Sequence, residues 1–89
     1  LMEAAEKGRV ETVRTLLAGG AKADWQNKAG ETALIRAARA GQAGTVAALI
    51  AGKADLNATD YTGRSALSYA ADGHNSRVIE LLRNAGAKP

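Results

Sequence analysis

The feature that most constrains this chain is a period of 33 residues. Leu1, Leu34 and Leu67 fall at that spacing, as do Ala4, Ala37 and Ala70, and Ala5, Ala38 and Ala71. Val13, Val46 and Ile79, then Leu16, Leu49 and Leu82, continue the series. The connecting segments repeat too: Asn27 matches Asp60, Gly30 matches Gly63, Thr32 matches Ser65, and Ala21, Ala54 and Ala87 close each unit. A chain that repeats itself this way folds as a stack of small units, each burying its apolar face against the next.

Composition agrees with thin layers. The chain has 89 residues, enough for one domain. Of its 46% hydrophobic residues, 21 are Ala and none is Phe, so no thick central core can form. The spacing predicts two helices per unit. Leu34, Ala37 and Ala38 lie i, i+3, i+4 apart before a left-handed stop at Gly41, and Val46, Leu49 and Ile50 repeat the pattern through Ala51. Thr32 and Ser65 stand where a hydroxyl can cap the first helix of a unit, and Gly19-Gly20 reads as a helix stop. The turn-rich stretch from Gly52 to Gly63 leads into the next pair.

Two segments carry a family resemblance. Thr32-Ala33-Leu34-Ile35-Arg36-Ala37-Ala38 and Ser65-Ala66-Leu67-Ser68-Tyr69-Ala70-Ala71 look like the Thr-Pro-Leu-His-x-Ala-Ala signature of the ankyrin repeat. The run from Ala54 to Asp60 is similar to that family's hairpin segment, with Lys53 in place of its Gly. The resemblance covers essentially the whole chain. It implies an all-α fold, an ankyrin-repeat solenoid of stacked antiparallel helix pairs joined by β-hairpin-like loops. The units are 1–26, lacking its hairpin, 27–59, and 60–89, a C-terminal capping repeat. The chain departs from the family where Ala33 and Ala66 replace proline and where Ile35 and Ser68 replace a histidine that braces neighbouring repeats. His74 stands at a helix-ending Gly position, and the expectation is a turn remodelled around Gly73.

At the last helix, Arg83 replaces Leu17 and Ile50 and is surrounded by Ser76, Arg77, Glu80 and Asn84, so its outer side is expected to be a polar C-terminal end. Leu1 and Met2 carry no such protection, and more chain or a second copy is expected to cover them.

The sequence offers little for catalysis. One His and no Cys remove thiol chemistry and leave His74 without the partners that a nucleophile or a zinc site needs. Asp55 and Asp60 read as turn residues bonding backbone amides. Asn57-Ala58-Thr59 fits a glycosylation sequon but occurs easily by chance. The chain is therefore expected to be no enzyme and to need no cofactor or metal. No apolar run approaches the roughly 20 residues needed to cross a bilayer.

Binding is the expected job. In the family that the chain resembles, partners dock on hairpin tips and the exposed side of each first helix. That resemblance places Lys28, Ala29, Glu31, Tyr61, Thr62 and Arg64 on the hairpins, and Arg36, Arg39, Tyr69 and Asp72 along the helices. Trp25 aligns with the small Ala58, so its indole is expected to be partly exposed. The expected partner is a protein, and Tyr and Arg are common interface anchors. An alternative treats Lys28, Arg36, Arg39 and Arg64 as a patch for an anionic ligand or nucleic acid. The net charge of +3 does not require one. A further alternative is self-association through the first helix, with the chain otherwise a monomer. The resemblance favours a cytoplasmic setting.

Overall fold

A computed structural model describes residues 1–88 and contains six helices: α1 (Met2–Glu6), α2 (Val10–Ala18), α3 (Ala33–Arg39), α4 (Ala43–Ala51), α5 (Ala66–Asp72) and α6 (Ser76–Asn84). They pair as α1 with α2, α3 with α4 and α5 with α6. The first helices stack α1 on α3 on α5, and the second helices stack α2 on α4 on α6. Each unit thus touches only its neighbours, as the period requires.

Sequence chemistry accounts for the helix ends. The Thr32 Oγ1 accepts a hydrogen bond from the Ile35 N–H at 3.2 Å, and the Ser65 Oγ does the same for the Ser68 N–H at 3.2 Å. The Asn75 side chain caps α6 through the Val78 N–H at 3.1 Å, a cap that the sequence reading did not single out. Leu1 offers no side-chain cap to α1, which has only five residues.

Each first helix stops on a left-handed residue. Gly41 has φ +74°, and its equivalent His74 adopts φ +54°, whereas Gly73 keeps φ −82°. The expected remodelling around Gly73 therefore does not occur. The His74 backbone follows the repeat because its N–H still donates to the Ala71 carbonyl and the Asn75 N–H still donates to the Ala70 carbonyl, as at Gly41 and Gln42. Lys53 likewise takes φ +68° in the place of Gly20 and Gly86.

Between the helix pairs, residues 27–31 and 60–64 form tight hairpin-like turns. The Asn27 and Asp60 N–H groups donate to the Glu31 and Arg64 carbonyls. Among the described residues the only ladder-type pairing is an isolated bridge between Thr59 and Ser65.

The core is a narrow seam of small side chains. Ala5, Ala37 and Ala70 let the first helices approach closely, and Val13, Val46 and Val78 with Leu34, Ile35, Leu49 and Leu82 fill the space between layers. Ile35, at the position of the family's bracing histidine, is fully buried and braces by packing. One buried polar tie crosses units: the Thr45 hydroxyl donates to the Ala5 carbonyl at 2.9 Å.

Candidate functional site

The inner face, formed by the hairpins and the first helices, carries a chain of charges that runs across all three units. Glu31 leaves the first hairpin pointing inward and is buried, at 8% exposure. Its Oε1 accepts from Asn27 Nδ2 at 3.0 Å and Arg36 at 3.2 Å, and its Oε2 lies 2.6 Å from Arg39. The Asn27 hydrogen bond, then the Arg39 and Arg36 charges, hold the Glu31 carboxyl below its usual range against the upward push of burial. Arg36 reaches back to Glu6 in the first unit, with Nε donating at 2.7 Å.

A second cluster forms at the next hairpin. Asp60 is buried and accepts from the Thr62 hydroxyl at 2.6 Å, the Thr62 N–H at 2.9 Å and the Arg64 N–H at 3.1 Å. The Tyr69 hydroxyl donates to its other oxygen. Thr62 first, then Tyr69, drive the Asp60 carboxyl far below the ordinary carboxylate range. The half-buried Tyr69 ring lies 5.5 Å from the Arg39 guanidinium and 4.6 Å from that of Arg64, both within cation–π range. Arg64 in turn pairs with Asp72. The result is a continuous line: Glu6, Arg36, Glu31, Arg39, Tyr69, Arg64, Asp72.

These observations place the expected binding residues in two groups. Glu31, Arg36, Arg39, Arg64, Tyr69 and Asp72 meet in one network and satisfy one another. Lys28, Tyr61 and Trp25 stand outside it and present their side chains to solvent. Tyr61 is 73% exposed and lies across Gly30 of the preceding hairpin, where its N–H donates to the Ala29 carbonyl at 3.0 Å. Lys28, on that same hairpin tip, forms no ion pair among the described residues. Trp25 is 61% exposed, as the mismatch with Ala58 suggested. Of the four cations in the anionic-ligand alternative, three are already matched by internal carboxylates.

Asp55 behaves as the turn residue that the sequence suggested. Its side chain accepts from the Asn57 N–H, and its own N–H donates to Asp24 across the units at 2.7 Å. Sequence reasoning missed Asp24 and its equivalent Asn57, which accepts from the Lys88 N–H at 2.9 Å. Their recurrence at 33 residues was the available signal. Among the described residues no group of His, Asp or Glu is arranged to hold a metal ion, and no helix is long and apolar enough to cross a membrane.

Comparison with known families agrees with the geometry: the family model described as ankyrin repeats, in three copies, matches residues 1–89. The chain belongs to the ankyrin repeat family, whose members generally serve as protein–protein interaction modules. No curated protein matches the chain significantly.

Proposed function

We propose that this protein is a non-catalytic binding module that grips a protein partner along its inner face. The contacts are led by Tyr61, Trp25 and Lys28, and the charged line from Glu6 to Asp72 stands behind them as a stiff backing. The exposure of Tyr61, pinned across the neighbouring hairpin, carries this reading. A large aromatic side chain already held in place loses little freedom on binding and offers a broad apolar face. The internal pairing of Arg36, Arg39 and Arg64 weighs the reading toward a protein surface and away from a polyanion, which would have to compete with Glu6, Glu31 and Asp72 for those cations.

The test uses paired baits in affinity capture: the wild-type chain, a Tyr61→Ala/Trp25→Ala chain, and an Arg14→Ala chain altered on the outer helix α2. Proteins held by the wild-type and Arg14→Ala baits should be lost from the double variant, with helicity unchanged by circular dichroism. Equal capture by all three baits would discard the inner-face model.

A further inference from the structure

The outer layer of the stack, away from the inner face, carries a charge pattern of its own. There α2, α4 and α6 lie side by side and, as equivalent helices of successive units, run in one direction. Outward positions recur every 33 residues: Glu11, Gly44 and Arg77 form one row, and Arg14, Ala47 and Glu80 the next. All six are exposed. The order of signs reverses between the two edges, since α2 reads Glu then Arg and α6 reads Arg then Glu. Between them α4 has no charged residue, and its exposed Gly44, Ala47 and Ala51 reach no further than a methyl group. A further unit stacked on either end would lengthen this face without covering it.

Such a face is complementary to itself. Turning a second copy over about a two-fold axis parallel to α4 lays α4 along its counterpart and brings α2 of each copy opposite α6 of the other. Each row keeps its height along the helices. Glu11 then meets Arg77 of the second copy and Arg14 meets Glu80, and the symmetry repeats both pairs. Within one chain the same residues form only Arg14–Glu11 at 3.3 Å and Arg77–Glu80 at 4.0 Å, with every side chain more than half exposed. Exposed pairs of this kind contribute little, so sharing their charges with a second copy costs little. The reversed order does not serve α6 itself, because Arg77 stands in its first turn, where the helix dipole favours an acid. Its geometric consequence appears when α2 faces α6. Three helices of nine residues, each about 13 Å long and about 10 Å apart, give a face of roughly 400 Å², half of the ~800 Å² per partner in a standard interface. The association is therefore weak.

We infer that the outer face of α2, α4 and α6 is a self-recognition surface through which two copies of this chain pair, with α2 of each against α6 of the other. The two inner faces then point away from each other, and Tyr61 and Trp25 of both copies stay free for a partner.

The experiment follows sedimentation of the full chain up to about 1 mM, the regime of small, weak interfaces. Wild type should move from the mass of one chain toward that of two, and back toward one in about 1 M salt, where charges are screened beyond about 3 Å. A Glu11→Arg/Arg14→Glu chain keeps its net charge and its intrahelical pair but sets like charges opposite each other, and should stay at one-chain mass. An Arg77→Glu/Glu80→Arg chain should do the same. An equimolar mixture of the two exchanged chains restores opposite signs at every contact and should regain two-chain mass. With wild-type helicity in each protein, a wild type that stays at one-chain mass, dimers that survive either exchange, or no recovery in the mixture would overturn the inference. Should an exchanged chain lose helicity, Ala47→Lys is the second arm. Lysine is a good helix former at this exposed position, and it sets two cations against each other at the centre of the face, so the variant should stay at one-chain mass; pairing as strong as that of wild type would likewise overturn the inference.

Discussion

His74 shows how a single residue can follow a backbone that its side chain resists. A left-handed conformation costs a residue with a Cβ about 1–2 kcal/mol, and glycine avoids that cost while losing roughly 0.5–1 kcal/mol through its greater freedom when unfolded. Since the exposed ring of His74 makes no hydrogen bond or ion pair among the described residues, His74→Gly should stabilise the chain by about 0.5 kcal/mol, net of those two effects. His74→Val should destabilise it, because a β-branched side chain tolerates this conformation worst. Urea midpoints of the three proteins check the order, and a Gly variant weaker than wild type would contradict it. The position of the stop was legible in the 33-residue period. Its conformation was not, because local preference favoured Gly73, and the hydrogen bonds of the two helices around it outweighed that preference.

At the level of the helix, equivalent leucines do unequal work. Leu49 sits on α4 with a helix packed on either side, while Leu16, at the same place on α2, has a neighbour on one side only. Leu49→Ala should cost about 2–5 kcal/mol through lost transfer energy and an unfilled cavity. That is a large part of the 5–15 kcal/mol that holds a typical small domain together. Leu16→Ala removes side-chain atoms already partly in water and should cost roughly 1 kcal/mol. Denaturant titration distinguishes the two, and equal losses would show that the first unit is covered in solution. The helices were readable because period, spacing and the hydroxyls of Thr32 and Ser65 agreed. The Asn75 cap lay outside the pattern quoted for the first helices and so escaped notice.

Across the whole molecule, the buried carboxylates Glu31 and Asp60 organise the charges of the inner face, and Arg36 and Arg39 carry that line from one unit to the next. Glu31 gathers Arg36 and Arg39, through which the line reaches Glu6 in the first unit and Tyr69 in the third. Much of this was written in the sequence as a column of alternating sign, Glu6, Arg39 and Asp72, and a second column, Glu31 and Arg64. It went unread because each charge was weighed singly as an exposed contact, whereas the pairing depends on how closely the units stack. The consequence is a stability that depends on acid. Both carboxyls titrate lower when folded than when unfolded, where ordinary values are about 4. As pH falls, the unfolded chain takes up their protons first, so the stabilisation is complete at neutral pH and drains away below about pH 5. A Glu31→Gln/Asp60→Asn chain should be less stable than wild type at pH 7, because an amide cannot match every donor around it. Its urea midpoint should then change far less between pH 7 and pH 3, since the two groups that link folding to proton uptake are gone. Parallel declines in the two proteins would place the acid sensitivity outside these two carboxyls and would leave the inner line as a passive consequence of stacking.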